Sequence, residues 1–186
     1  MLIKNARDYE GRICDYLIAD GKIRAIGTDL PEAGEVINAK GLTILPAFID
    51  THCHFDFPPF TGDESASIAR ATEAGVTQIV IPATEADNFA RVLALAEKYD
   101  ALYAALGLHP IVIERHSAES LERLEACLAK RDAKLVAVGE IGLDLYREDP
   151  QFARQVSVFE AQMRLAKRYD LPAILHSRRT HDKLAM

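Results

Sequence analysis

The sequence has few cysteines, no excess of basic residues, and neither a signal peptide nor a long apolar run. Its three cysteines are unclustered and odd in number, which excludes a full disulfide framework and gives no sign of a structural zinc site. No basic amino-terminal region precedes an apolar core, and no apolar run approaches the roughly 20 residues of a membrane span. These features predict a cytoplasmic protein with reduced thiols and no membrane partner.

The charge balance is acidic, with a formal net charge of −6. Tight, sequence-independent binding of duplex DNA depends on neutralising phosphates with Lys and Arg, so the composition argues against that kind of binding. It does not exclude a nuclease, because bound metal ions supply positive charge themselves. With 49% hydrophobic and 27% charged residues, the chain has the composition of an ordinary globular protein.

The most informative stretch is an apolar run that ends in two histidines. Residues 48–51 lead directly into His52 and His54, which are spaced i, i+2. On a strand, this spacing sends both imidazoles to the same face. Because histidine is the commonest side-chain metal ligand, the pair predicts half of a divalent metal site at a strand end.

Four further apolar runs end in polar or glycine-rich residues. The runs, each with a residue that follows it, are 77–81 with Pro82, 102–106 with His109, 135–138 with Glu140, and 171–175 with His176. Three of them therefore place a potential ligand just after a predicted strand.

Segments with helical periodicity separate these runs. Asp149 and Pro150 predict the N-cap and first residue of a long helix, Ser117 and Thr84 predict the N-caps of two others, and Gly75 predicts the end of a fourth. The apolar face of the long helix is predicted to carry Phe152, Val156, Phe159, Met163 and Ala166.

The alternation of strands and helices after residue 48 predicts an α/β fold with a parallel sheet covered by helices. Polar residues at the carboxyl ends of several strands are typical of a (β/α) barrel active site. A doubly wound sheet is the alternative. It usually carries a glycine-rich phosphate loop after its first strand, where this chain has His52 and His54.

Residues 48–186 resemble the first five strand-helix units of the TatD-type metal-dependent hydrolases, which belong to the amidohydrolase superfamily. Four motifs in this order carry the resemblance: Ile-Asp-Thr-His-Cys-His-Phe-Asp at 49–56, Gly-Leu-His-Pro at 107–110, Val-Gly-Glu-Ile-Gly-Leu-Asp at 138–144, and Ile-Leu-His-Ser-Arg at 174–178. The resemblance implies a TIM-type barrel. Any one motif alone would be a weak signal.

The resemblance also implies two divalent metal ions. His52 and His54 would bind one ion, His176 would bind the other, and Glu140 would bridge them. The ligand types leave zinc, manganese, magnesium and iron open.

Members of the family hydrolyse phosphodiester bonds, typically as deoxyribonucleases, so the implied partner is DNA or another phosphodiester substrate. Paired metals would activate a water molecule and stabilise charge on the phosphate oxygens. The resemblance places His109 and Arg178 near the substrate phosphate, which an arginine can hold through two hydrogen bonds.

The chain departs from the family at its carboxyl end. The family has a further metal-binding histidine after the sixth strand and, after the eighth, an aspartate that serves as general base. This chain ends at Met186, in the expected helix after strand five, so no catalytic residue is assigned. An incomplete barrel is expected to have two open sheet edges, through which self-association is predicted.

The first 46 residues form a separate β-rich segment in this prediction. Short strands are expected at 2–5, 16–19, 23–26, 36–38 and 42–45, with Asp20 and Gly21 in a hairpin turn. The segment resembles the opening of cyclic amidohydrolases such as dihydroorotases and hydantoinases. The predicted domains are 1–46 and 47–186.

Two alternative functions follow. The resemblance of the first 46 residues to cyclic amidohydrolases favours cyclic amide hydrolysis. Those enzymes, however, usually bridge their metals with a carboxylated lysine where this chain has Glu140. The other alternative is a catalytically incomplete fragment that lacks the last barrel strands.

Several site candidates also have structural interpretations. An isolated His-x-His pair can be two hydrogen-bonded core histidines, and His109 can cap the loop before Pro110. We expect Asp144 to order its own loop, and we expect His116 to be exposed without a specific role.

Overall fold

The computed structural model describes residues 1–32, 34–45 and 47–184. The chain divides into two compact units, Met1–Ala47 and Phe48–Met186. This division lies one residue from the domain boundary proposed from the sequence.

The first unit is a four-stranded sheet in the order β3-β2-β1-β4. Its strands are β1 (Leu2–Arg7), β2 (Ile13–Ala19), β3 (Lys22–Gly27) and β4 (Val36–Asn38). The predicted hairpin turn between β2 and β3 is confirmed, since Asp20 and Gly21 both have positive φ angles, 52° and 68°, as a type I′ turn requires. The predicted strand at 42–45 is wrong, because Thr43 forms only an isolated bridge to Arg7 there.

The second unit contains five parallel strands in chain order, β5-β6-β7-β8-β9. The strands are β5 (Phe48–Asp50), β6 (Val76–Pro82), β7 (Leu102–Leu106), β8 (Leu135–Asp144) and β9 (Ala173–Arg178). Sequential parallel neighbours are the order found in a (β/α) barrel. The predicted fold class, five strand-helix units of a TIM-type barrel after a small β-rich segment, is confirmed.

Helices connect these strands. They are α1 (Glu64–Glu73), α2 (Phe89–Lys98), α3 (Ala118–Ala129), α4 (Phe152–Tyr169) and α5 (His181–Leu184), with 3₁₀ turns at Ala86–Asn88 and Pro110–Arg115. Within the described part of the chain, none of these helices has the combination of length and apolar character that crossing a membrane requires.

The predicted helix ends agree with the structure at two of four places. The Ser117 side chain accepts a hydrogen bond from the backbone of Ser120 and caps α3, and Gly75 follows α1 with φ +87°. Thr84 is not a cap, because Glu85 caps the 3₁₀ turn before α2. Asp149 is not the cap of α4 either, since Gln151 occupies that position in a left-handed conformation.

The buried stripe of α4 also differs from the prediction. Met163 is 38% exposed, whereas Gln155 and Gln162 are almost fully buried. The prediction is confirmed for Ala166, which is buried in the core, and for Phe159, which packs against it, and it is wrong for Met163. It missed the two glutamines, which satisfy their hydrogen bonds inside the protein.

The centre of the sheet is tightly packed. In β8, nine of the ten residues are buried, which agrees with a strand covered on both faces. Gly142 on β8 has φ +149°, and a Cβ atom at this position would lie 2.0 Å from the backbone oxygen of His176 on β9. Only glycine allows β8 and β9 to approach so closely at this point.

Candidate metal centre

Glu140 lies at the centre of a cluster of four histidines. Its side chain projects from β8 and is 5% exposed. Its Oε2 atom is 3.1 Å from His52 Nε2 and 3.3 Å from His54 Nε2. Its Oε1 atom is 2.9 Å from His176 Nδ1 and 3.4 Å from His109 Nε2. One buried carboxylate thus contacts a different pair of histidines with each oxygen.

The topology of the sheet explains this convergence. His52 and His54 follow β5, His109 follows β7, Glu140 lies on β8, and His176 lies on β9. Because all five strands are parallel, their carboxyl ends lie along one edge. Residues that are far apart in the sequence therefore meet at one place.

His52 and His54 are the more open part of the cluster. Each side chain is 37% exposed, and the two rings pack edge to face with 5.2 Å between their centroids. His54 Nδ1 is buried and has no hydrogen-bond partner among the described residues. A buried polar atom without a partner is unusual in a folded protein.

The donor set on this side fits a divalent metal. One ligand atom from each of His52, His54 and Glu140 can be chosen so that all three lie within 4.8 Å of one another. Four ligands at zinc-nitrogen distances of about 2.0–2.1 Å in a tetrahedron lie about 3.3 Å apart. The separations of 3.1 Å and 3.3 Å to Glu140 Oε2 match that spacing.

His176 lies between two carboxylates. Its Nδ1 faces Glu140 at 2.9 Å, and its Nε2 is 2.8 Å from Oδ2 of Asp144. Asp144 is 1% exposed, and its Oδ1 accepts a hydrogen bond from the backbone of Tyr146 at 2.7 Å. Asp144 therefore does order its own loop, as expected, but it also contacts a candidate ligand.

His109 is a hydrogen-bond donor towards the centre. Its Nδ1 accepts the backbone N–H of Ile111 at 3.0 Å, so in the neutral ring the proton is on Nε2. That Nε2 lies 3.1 Å from His176 Nδ1 and 3.4 Å from Glu140 Oε1. A nitrogen that carries a proton cannot coordinate a metal, although His109 is close enough to Glu140 and His176 to complete a second group of three potential ligands.

His116 contacts the backbone of His109. It is 3% exposed, and its Nε2 is 2.8 Å from the backbone oxygen of His109. The expectation of an exposed His116 without a role is wrong, because the 3₁₀ turn Pro110–Arg115 folds the chain back against the loop. Burial lowers the pKa of the His116 imidazole.

The electrostatics of the cluster depend on Glu140. Burial opposes ionisation of its carboxyl group, but hydrogen bonds from His109, His176 and His54 outweigh that effect and hold its pKa far below the ordinary value. The hydrogen bond to Glu140 raises the pKa of His54. Burial also opposes the charged form of His176, yet contacts with Glu140 and Asp144 raise its pKa. The cluster thus consists of an ionised acid surrounded by imidazoles, two of which have raised pKa values.

Arg178 lies at the exposed end of β9, two residues beyond His176. The i, i+2 spacing places both side chains on the same face of the strand. The Arg178 guanidinium stacks 3.5 Å above the ring of Tyr146. Among the described residues, Arg178 makes no hydrogen bond to the cluster.

Two glutamines that sequence reasoning missed hold the loops of the site. Gln162 accepts the backbone N–H of Leu108 at 2.7 Å and donates to the same residue's carbonyl at 3.2 Å. Gln155 does the same for Asp144, at 2.7 Å and 2.9 Å. The two glutamines lie seven residues apart on the core-facing side of α4. Their spacing, which puts two polar residues on one face of the helix, was the signal in the sequence that could have identified them.

Residues 49–186 match the family described as TatD related DNase. The chain belongs to this family. A metal-dependent hydrolase of Escherichia coli K12, YjjV, is 70% identical over 139 residues, which are 75% of this chain and 54% of that protein. The crystal structure of YjjV superposes with a TM-score of 0.74, over 75% of this chain and 54% of that one.

Two further comparisons extend this result. A protein of Edwardsiella piscicida named 3′-5′ ssDNA/RNA exonuclease TatD is 39% identical over 123 residues, which are 66% of this chain and 46% of that protein. A D-hydantoinase structure covers 95% of this chain, with 39% of its own chain matched, at a TM-score of 0.60 and 21% identity, which shows a shared fold alone. The chain spans about half the length of the TatD-family relatives it matches.

Proposed function

We propose that this protein is a metal-dependent hydrolase that cleaves phosphodiester bonds in DNA or a related nucleic acid, using two divalent metal ions. The observation that carries the proposal is the position of Glu140, whose Oε2 faces His52 and His54 while its Oε1 faces His176. A carboxylate with histidines at each oxygen is suited to bridge two metals. The exonuclease name of the Edwardsiella relative supports a nucleic-acid substrate.

In this proposal His52, His54 and Glu140 hold one ion, and Glu140 and His176 hold the other. Zinc, manganese, magnesium and iron all remain candidates for these nitrogen and oxygen ligands. Bound divalent ions would lower the pKa of a water molecule and stabilise negative charge on the phosphate.

His109 and Arg178 would bind the substrate phosphate. The proton on His109 Nε2 points at the centre and makes His109 a donor to a phosphate oxygen. The Arg178 guanidinium stacks on Tyr146, which restricts its orientation while its N–H groups stay available at the exposed strand end. No general base is assigned among the described residues.

Release of labelled nucleotides from single-stranded DNA tests this proposal. The purified chain is incubated with Mg²⁺ or Mn²⁺, beside samples with EDTA and with the variant His54→Ala. His181→Ala is the matched control, because His181 is exposed on α5. We expect cleavage to be lost with EDTA and with His54→Ala and kept with His181→Ala. Unchanged cleavage by His54→Ala would contradict the assignment of the site.

The same preparation discriminates the two alternatives. Metal-dependent turnover of dihydroorotate without DNA cleavage would favour a cyclic amidohydrolase, against which Glu140 argues. Folded protein without either activity would favour the catalytically incomplete fragment.

Self-association through the sheet edges remains part of the proposal. The outer strands of the described sheet are β5 and β9, and Phe48, Ile49 and Leu175 on them are 56%, 53% and 49% exposed. Exposed apolar side chains on edge strands favour pairing with another chain. Sedimentation velocity over a range of concentrations tests this, and a concentration-independent monomer would contradict it.

A cytoplasmic location also remains a proposal. The three free cysteines, Cys14, Cys53 and Cys127, support a reducing compartment.

A further inference from the structure

Asp144 uses its two carboxylate oxygens on different partners. Oδ1 accepts the backbone N–H of Tyr146, in the loop after β8, at 2.7 Å. Oδ2 faces Nε2 of His176 at 2.8 Å. The side chain is 1% exposed, so water does not compete for this contact.

The backbone of Asp144 is held as firmly as its side chain. Gln155 of α4 accepts the Asp144 N–H at 2.7 Å and donates to the Asp144 carbonyl at 2.9 Å. With its backbone held by α4 and one oxygen held by Tyr146, Asp144 presents Oδ2 to His176 in a defined position.

We infer that Asp144 is a positioning residue that directs Nδ1 of His176 towards the metal. This inference rests on the proposed function. An ionised carboxylate only accepts hydrogen bonds, so the contact with Oδ2 requires a proton on His176 Nε2. Nδ1 faces Glu140 Oε1 at 2.9 Å and donates to it in the metal-free protein, so Nδ1 is the nitrogen that would give up its proton and bind the metal.

His52 and His54 provide an internal comparison. Both face Glu140 through Nε2, and the Nδ1 atom of His54 has no partner within the residues that the structure describes. The support from a second carboxylate is thus specific to the His176 side of Glu140. Removing this carboxylate should weaken the binding of one of the two metal ions and leave the binding of the other unchanged.

The test is a zinc titration of the whole chain, wild type and Asp144→Asn, in competition with a chelator of known affinity. Asparagine has nearly the same shape and keeps one oxygen for the Tyr146 N–H, but its NH₂ group then faces His176 and removes the acceptor. Loss of a residue that orients a metal ligand typically weakens metal binding by about 10–100-fold. We expect that loss for one of two zinc ions only.

Asp8→Asn is the matched control. Asp8 is also a buried carboxylate, 6% exposed, that accepts backbone N–H groups, from Glu10 and Arg12, and it lies in the other unit. We expect it to leave both zinc affinities within about twofold of wild type. Equal zinc affinities in wild type and Asp144→Asn would overturn the inference.

A second measurement needs no variant and remains decisive if Asp144→Asn fails to fold. Nitrogen-15 NMR of the zinc-loaded wild type distinguishes a protonated imidazole nitrogen from a coordinated one. We expect a proton on His176 Nε2 and coordination through Nδ1. A proton on Nδ1 with coordination through Nε2 would overturn the inference.

These readouts separate the inference from the proposed function. If zinc binds as expected but DNA is not cleaved, the proposed hydrolysis fails and the role of Asp144 stands. If the wild type binds no divalent metal, both fail.

Discussion

On the Oε1 side of Glu140, the ring nitrogens of His176 and His109 all have hydrogen-bond partners, and His109 is 7% exposed. On the Oε2 side, His52 and His54 are 37% exposed, and His54 Nδ1 has no partner in the described ranges. We call these the supported side and the open side of Glu140.

The difference follows from the strands that carry each side. The open side follows β5, a three-residue strand at the sheet edge with three exposed residues. On the supported side, His109 follows β7 and His176 lies on β9, which is also an edge strand but has six residues and pairs with the ten-residue β8. The backbone of Ile111 and the side chain of Asp144 hold these two histidines, whereas His54 Nδ1 after β5 has no such partner among the described residues. We therefore expect the supported side to be preorganised for metal binding.

Glu140→Gln should have the largest effect, because it removes the carboxylate that both sides share. A ligand contributes at least as much as the residues around it, so we expect metal affinity on both sides to fall about 100-fold or more, with DNA cleavage lost. Isothermal titration with Zn²⁺ measures this. Glu122→Gln, at an exposed position on α3, is the control and should change nothing. Loss of only one ion would mean that Glu140 does not bridge.

Gly142→Ala should disrupt the supported side by forcing apart the backbones of β8 and β9. The new Cβ would overlap the His176 carbonyl at 2.0 Å, so β8 and β9 must separate, and we expect a cost of about 3–4 kcal/mol in the free energy of unfolding. Urea denaturation measures it. Gly62→Ala is the control, since Gly62 also has a positive φ, +87°, but no neighbour within 4 Å of the added Cβ. It should cost about 1 kcal/mol. Equal effects would show that the close approach is not rigid.

Gln162→Ala tests the second layer of contacts behind His109. It leaves the Leu108 N–H and carbonyl without partners inside the protein, for an expected loss of about 2 kcal/mol. Met163→Ala, at the neighbouring position that is 38% exposed, should change stability by less than about 0.5 kcal/mol. Thermal unfolding compares them. If the two variants were equally stable, the glutamine would not hold this loop.

The pH dependence of stability that arises from His116 should be the smallest of these effects. Burial lowers its folded-state pKa below the ordinary 6.5, so the unfolded chain takes up a proton first as the pH falls. The contribution of neutral His116 to the free energy of unfolding is therefore present above about pH 6.5 and is lost as the pH falls below that value. His54 and His176 act in the opposite sense, because their raised pKa values stabilise the metal-free protein at low pH and lose that effect as the pH rises.

The comparison of wild type with His116→Gln isolates this effect. Urea midpoints in EDTA, measured from pH 5 to 7.5, should show that the variant loses less stability on acidification than the wild type does. Parallel curves would mean that His116 is protonated equally in both states.

Most of the barrel unit was predictable, because its strands are nearly continuous apolar runs and its helices are periodic. Those patterns reflect burial, which acts on each segment separately. The same reasoning missed Gln155 and Gln162 on the buried side of α4, and it failed at the start of that helix, where Gln151 replaces Asp149 as the cap. The partner of Gln162 is Leu108, 54 residues away, which a local pattern does not contain. The error at the cap is local, because Asp149 accepts a hydrogen bond from the backbone of Gln151, two residues further on.

The sequence by itself determined the order of the strands and the metal-binding residue types at their ends. The resemblance to the family made His52, His54, Glu140 and His176 the candidate ligands, and parallel strands bring their carboxyl ends to one edge. Only the tertiary structure decided what each ring nitrogen faces: the backbone of Ile111 donates to His109 Nδ1, and Asp144 Oδ2 faces His176 Nε2. A hydrogen bond depends on distance and direction between side chains, and a linear pattern of residues contains neither.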